Sequence, residues 1–200
     1  MSTIWLALPT GIGIATVASA VGIGGGILWM PFLMILMHLK PETAVLTSLI
    51  IQSAGMGSGT VSYGRRNHID YRLSGRLLVI TIPGIALGAY ATRIVSPAHL
   101  ELTLGLLTLT TAFLFVSAKQ HYHDISCARA QRGSMKPYMG FIALLSMVSG
   151  MLSISIGEWL IPILRSKLAL RMSTAIATSV ATIFGTCLLG AMSHTLMGSR

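Results

Sequence analysis

The chain has 200 residues, of which 53% are hydrophobic and only 10% charged, and its mean hydropathy is +0.76. Those proportions describe a polytopic membrane protein and argue against a cofactor-bearing soluble enzyme. A net charge of +9 would point a soluble protein toward nucleic acid, but here Lys and Arg fall in short loops between apolar runs, where they orient a chain in a bilayer.

Uncharged stretches mark six apolar blocks, at 1–39, 43–64, 77–92, 102–118, 137–157 (continuing weakly to 164) and 172–199. The first carries Ala18-Ser19-Ala20, which resembles a signal-peptidase site, but no Lys or Arg precedes it, so the segment is expected to be retained. It then runs through Val21-Gly22-Ile23-Gly24-Gly25-Gly26-Ile27-Leu28-Trp29-Met30-Pro31. Glycines and a proline break a helix, and lipid tolerates a broken backbone only where protein or a water-lined cavity covers it. Residues 4–38 as one helix would reach about 50 Å, against a hydrocarbon core of about 30 Å. Two half-length helices meeting near the midplane fit better. Blocks 77–92 and 102–118 are near the lower limit for a crossing, which predicts short helices with Arg76, Arg93 and Lys119 snorkelling to the head groups.

The fifth block repeats the first. At a fixed offset of 131 the identical pairs are Ile23/Ile154, Gly26/Gly157, Pro31/Pro162, Leu33/Leu164, Leu39/Leu170, Thr43/Thr174, Ala44/Ala175, Thr47/Thr178 and Ser48/Ser179. Lys40/Arg171 matches in charge, and Gly22/Ser153 and Gly24/Ser155 match in smallness. Ordered Gly, Pro, Thr-Ala and Thr-Ser pairs favour duplication over chance matching of apolar sequence.

Basic residues cluster in 64–76 (Arg65, Arg66, Arg72, Arg76), in 119–137 (Lys119, Arg129, Arg132, Lys136) and in 165–171 (Arg165, Lys167, Arg171). If all three face the cytoplasm, segment 137–164 starts and finishes inside, as a hairpin hinged near Ser149-Gly150. Each copy is then a hairpin plus three crossings, and an odd number of crossings makes the copies inverted. A single tilted helix for each long block would instead give parallel copies and leave 165–171 outside. The expected architecture is an all-α polytopic membrane protein. Its two inverted repeats each open with a broken helix or re-entrant hairpin, the second being incomplete: repeat 1–118, basic loop 119–137, repeat 138–200.

Gly-Ile-Gly-Gly-Gly with a downstream Pro, then Ala44-x-x-Thr47-Ser48, then Tyr63-Gly64-x-x-x-x-Ile69-Asp70 resembles the sulfite exporter TauE/SafE family over essentially the whole chain. That resemblance implies two homologous halves, a bacterial inner (plasma) membrane location, no cofactor and transport of sulfur-containing anions such as sulfite, thiosulfate or sulfonates. Two departures stand out. The second copy stops after the block matching 41–64, so the chain is either truncated or completes itself as a homo-oligomer. The second motif is also eroded, with Ser153, Ser155 and Ile156 for glycines and Glu158 opposite Ile27.

An anion site follows from the residues as well. Bare glycines at Gly22, Gly24, Gly25 and Gly26 expose main-chain N–H groups, and the half-helix after them turns a positive dipole end toward the midplane. Thr47, Ser48 and Gln52 add neutral donors from the next helix, with Ser53 beside them. Ser153, Ser155, Gly157, Thr178 and Ser179 mirror them in the second copy. The plainer alternative is helix packing through small-xxx-small spacing, favoured for Gly55/Gly59 and Gly84/Gly88, with Thr and Ser bonding their own backbone at i−4. Glu158 is either a buried carboxylate for proton coupling, with Arg165 as its partner, or an interfacial one.

Other chemistries are weakly supported. His121-x-His123 lacks a third ligand of telling spacing, so no metal is expected. His194 reads as an interfacial residue, since no second buried His faces it for a haem. Cys127 and Cys187 show no disulfide or metal spacing. Met56 stands where a Gly-x-Ser-Gly nucleophile motif at Ser58-Gly59 needs glycine, and no nucleophile, base and acid assemble. Trp5, Tyr63, Tyr71, Tyr90 and Tyr138 flank the blocks as interfacial belts do, whereas Trp29 and Trp159 sit beside the breaks. Two functions remain: a secondary transporter of a small anion working by alternating access in the bilayer, or a non-transporting, degenerate or assembly protein.

Overall fold

A computed structural model describes residues 9–16, 25–117, 138–168 and 170–198. The basic loop 119–137 and Gly22–Gly24 lie outside them. The described elements are helices, with no strand among them: α1 (9–16), α2 (Gly26–Pro31) running into a π-helical turn (Phe32–Leu36), α3 (Pro41–Arg65), α4 (Tyr71–Ile94), α5 (Pro97–Ser117), α6 (Met139–Leu152), α7 (Gly157–Leu168) and α8 (Met172–Gly198). Three of them, over Pro41–Arg65, Tyr71–Thr92 and Met172–Leu196, are long and apolar enough to cross a membrane.

α4 and α5 are longer than their uncharged cores predict, at 24 and 21 residues. The short, thin arrangement expected for them is therefore corrected. In α4 charge-bearing turns continue the helix past its apolar block, because solvated Arg72 and Arg76 are good helix formers and need no burial, and both are exposed; α5 is lengthened at its start, from Pro97 to Glu101.

The long block at 137–164 is a hairpin. α6 ends at Leu152, residues 153–156 are non-helical, and α7 restarts at Gly157. The start of α6 and the end of α7 share one cluster, in which Ile142 packs with Leu160, Leu164, Leu168 and Leu170 beside Leu73, Leu77 and Ala175. Both arms therefore open on the same end of the molecule. The hinge falls four residues beyond the expected Ser149-Gly150, because Gly150 is taken up by packing: a Cβ there would lie 2.5 Å from the Ile85 carbonyl.

The first copy shows the same breaks in the same register. Gly25 has φ 71, in the left-handed region that only glycine enters cheaply, and α2 begins one residue later. α2 and α7 start at Gly26 and Gly157, and α3 and α8 at Pro41 and Met172, each 131 apart. Main-chain bonds recur at that offset: Trp29→Gly25 at 2.8 Å and Leu160→Ile156 at 2.9 Å; Leu39→Leu33 at 3.1 Å and Leu170→Leu164 at 3.5 Å; Ala44→Lys40 and Ala175→Arg171, both 2.9 Å.

α3 and α8 form the centre. A Cβ on Gly59 would meet Val180 at 3.2 Å, and one on Gly190 would meet Leu49 at 3.2 Å. Residues 59 and 190, and 49 and 180, are again 131 apart. Contacts on α8 move backward as α3 moves forward, so the helices are antiparallel and their contact is reciprocal, the geometry a two-fold axis across them produces. α4 lies in the groove of α6 and α8. A Cβ on Gly84 would sit 2.7 Å from the Ala143 carbonyl, and one on Gly88 would sit 2.8 Å from the Met151 amide. Gly84/Gly88 is thus a packing pair, as expected. Gly55/Gly59 is not: Gly55 faces open space, and Gly57, against Phe184 at 2.9 Å, takes its place.

The Tyr-Gly…Ile-Asp element is a corner. α3 closes with Asn67 at φ 53, its amide bonding Gly64 at 3.0 Å while His68 bonds Tyr63 at 3.2 Å, a Schellman ending. Asp70 then caps α4, accepting from the Leu73 amide at 3.1 Å, and its own amide donates to Thr178 Oγ1 on α8 at 3.1 Å. Ser74 and Thr182 pair one turn on, at 3.1 Å. Asp70→Ala should lower unfolding stability by about 1 kcal/mol, whereas Asp70→Asn, which keeps the cap acceptor, should not. Chemical unfolding in detergent distinguishes the two, and equal losses would refute the cap.

Candidate anion site at the helix breaks

A helix that ends inside a membrane leaves carbonyls without partners, and each must find a donor. At the end of α6 three side chains from three other helices supply them. His194 Nε2 of α8 donates to the Gly150 carbonyl at 3.0 Å. Thr92 Oγ1 of α4 donates to Met151 at 3.1 Å while also facing its own Gly88 carbonyl at 3.0 Å. Gln52 Nε2 of α3 donates to the Ser153 carbonyl at 2.9 Å. Ser153 holds φ 56, a left-handed conformation that costs a non-glycine residue about 1 kcal/mol or more.

The same Gln52 amide bonds Ser48 Oγ at 2.9 Å and Ser153 Oγ at 3.0 Å. Gln52 and Ser48 are buried, at 3% and 0% exposure. Gln52 Oε1 has no hydrogen-bond partner among the described residues, and neither has buried Ser179 Oγ or Trp159 Nε1. Gly26 closes the arrangement: a Cβ there would collide with the Ser153 carbonyl and lie 3.0 Å from Ile154 Cα. The break of the first copy therefore touches the break of the second.

With three carbonyls of this break engaged, the half-helix starts beside it contribute amides. Those of Gly26 and Ile27 precede the first bond of their own helix, Leu28→Gly25 at 3.0 Å, and so have no acceptor within it. At α7 the Gly157 amide donates to Ser155 Oγ at 3.2 Å. Two helix starts, both at the breaks, favour negative charge between them.

The expected site residues divide. Gly25, Gly26, Ser48, Gln52, Ser153, Ser155 and Gly157 are at or beside the breaks. Thr178 lies on α8 but is engaged by the Asp70 corner. Thr47 is half-buried on α3, Ser179 is buried with its hydroxyl unpartnered among the described residues, and Ser53 turns to its own backbone at Leu49, 2.7 Å away. Gly22 and Gly24 lie outside the described residues, as does the side chain of Glu158. The backbone of Glu158 is the second residue of α7, next to Gly157, whose Cβ position is overlapped by Ile183 near the middle of α8. Arg165, its suggested partner, donates from Nη1 to Met172 Sδ at 3.2 Å. Trp29 stacks edge-on with Phe32 at 5.8 Å and Trp159 with Phe141 at 6.5 Å, so both fill space within their hairpins.

His194 and Thr92 are the residues that sequence reasoning missed. His194, half-buried near the end of α8, holds the end of α6. The available signal was a polar residue inside an apolar block near a helix that must end in lipid.

The fold and these breaks define a multi-pass membrane protein with paired interrupted helices. The model of the family described as "Sulfite exporter TauE/SafE" matches residues 7–199, and the chain belongs to that family. It is also similar to a protein of Bacillus subtilis (strain 168) named "Probable membrane transporter protein YunE", at 24% identity over 209 residues covering 94% of this chain and 77% of the relative. No solved structure matches.

His194→Ala should cost about 1–3 kcal/mol, the penalty for a buried carbonyl left unpaired, and His194→Gln should recover much of it. Thermal unfolding in detergent measures both, and an unperturbed His194→Ala would remove this residue from the account.

Proposed function

We propose that the chain is a secondary membrane transporter of small sulfur-containing anions (sulfite, thiosulfate or an organosulfonate) that works by alternating access around the two breaks. It performs no covalent chemistry on its cargo. The observation that carries this reading is the contact of Gly26 with Ser153, which brings the start of a half-helix in one copy against the break of the other, with the Gln52 amide between α3 and the break. Neutral donors and helix starts suit a compact oxyanion, and interrupted helices meeting at a repeat interface are where transporter sites lie. The family and the Bacillus relative support membrane transport; the anion is argued from the donors.

The copies are inverted in this reading, and three observations support it. α3 and α8 are antiparallel and reciprocal, both arms of the α6–α7 hairpin open on one end, and Arg65, Arg66 and Arg72 share that end with Arg171. That end is cytoplasmic by the positive-inside rule, in a bacterial inner membrane.

Proteoliposomes should take up labelled sulfite, thiosulfate or taurine, tested with and without a pH gradient. Gly25→Leu, which forces a branched side chain into φ 71, should abolish flux and leave membrane insertion intact; unchanged flux would exclude the break as the site. A cysteine at Ser166 should label only from the cytoplasmic side, and labelling from outside would overturn the inverted arrangement.

A further inference from the structure

Gln52 has a counterpart in the second copy at the same offset, Ile183. Both residues stand against the glycine that opens a half-helix: Gln52 Nε2 is 3.1 Å from a Cβ built on Gly26, and Ile183 Cγ1 is 3.1 Å from one built on Gly157. The positions are matched and the chemistry is not. Ile183 offers no hydrogen bond, whereas Gln52 bonds residue 153 of the opposite copy.

The bond is also oversubscribed. An amide nitrogen carries two N–H groups, and three oxygens surround this one: Ser48 Oγ, the Ser153 carbonyl and Ser153 Oγ. Its target is a residue in the left-handed region, so the tip of α6 is held in a conformation it would leave if freed. Beneath that tip lies a closed crevice, walled by Ser153, Ile154, Leu49, Ile85, Thr186 and Cys187 and too tight to seat a water molecule.

We infer that Gln52 is a latch between the copies: it pins the tip of α6 and keeps the crevice shut, and an oxyanion reaching the breaks opens it by taking the Gln52 N–H from the Ser153 carbonyl. The opening step rests on the anion reading above. The exchange replaces one acceptor by another on the same donor, so no donor is lost. The Ser153 carbonyl turns to water that the widened crevice admits.

Cys187 is a native reporter, buried at 4% exposure in the crevice wall. In a Cys127→Ser background reconstituted in proteoliposomes, a permeant maleimide should label Cys187 slowly. Methanesulfonate, which does not react with maleimide, should speed it. Gln52→Leu, or Gln52→Met if the first fails to fold, should label about tenfold faster without any anion, the factor expected from losing one to two net hydrogen bonds, and should no longer respond to methanesulfonate. A cysteine at Ala175, fully buried at the other end of α8, must stay protected throughout, which separates opening from unfolding. Wild-type protection of Cys187 in both Gln52 variants would overturn the latch. Fast labelling in the variants, with no response of the wild type to methanesulfonate, taurine or sulfate, would leave the latch standing and overturn its anion trigger together with the proposed function.

Discussion

Main-chain carbonyls released where α6 ends among buried apolar side chains are the constraint on which the rest of this structure depends. Lipid offers them nothing, and an unpaired carbonyl at that depth costs several kcal/mol by order of magnitude. The fold answers with donors from three separate helices: His194 for Gly150, Thr92 for Met151 and Gln52 for Ser153. Each donor must stand close to the tip, and that requirement explains the close approach of α4 to α6 through Gly84, Gly88 and Gly150. It also explains why polar side chains survive in α3, α4 and α8, which are otherwise apolar. Beside those capped carbonyls stand the helix starts at Gly26 and Gly157, ends whose amides and dipole favour negative charge.

The two copies share a backbone plan and differ in what they hang on it. Helix starts, hinge bonds and the reciprocal packing of α3 on α8 recur at one offset. The hydrogen bonds of the side chains facing the breaks do not recur. Ser48 has Gln52 one turn away and hydrogen-bonded to it, whereas Ser179 has Ile183 in that place and a hydroxyl with no partner among the described residues. Thr47 and Thr178 diverge for a different reason. Thr178 receives the amide of the α3–α4 corner, so its role is to seat α4. The erosion visible in the second copy therefore falls on groups around the breaks, and the framework is retained.

Much of this was legible in the residues. Glycine runs followed by proline announced the breaks, the excess of cations in 64–76 and 165–171 announced which ends lie together, and Gly84/Gly88 announced a close helix approach. Less could be read of where elements stop. Uncharged blocks underestimate α4 because arginine-bearing turns continue a helix without being apolar, and α5 because its first turn, from Pro97 to Glu101, lies before the uncharged run. The expected topology puts a hinge near Ser149-Gly150, yet Gly150 packs against Ile85 and the turn falls at Ser153. The capping roles of His194 and Thr92 were hidden because they depend on partners 44 and 59 residues away in sequence, respectively, which no local pattern encodes. Partnership in the membrane interior is a tertiary property, and a lone polar residue discloses only that some partner must exist.

Anomalous scattering from selenite, a heavier stand-in for sulfite, would locate the cargo directly in crystals of the protein. The account predicts one ordered peak within hydrogen-bond reach of the Gly26 and Gly157 amides and the Gln52 side chain, with the tip of α6 displaced from α3. A peak elsewhere, with the two breaks still sealed against each other, would contradict it.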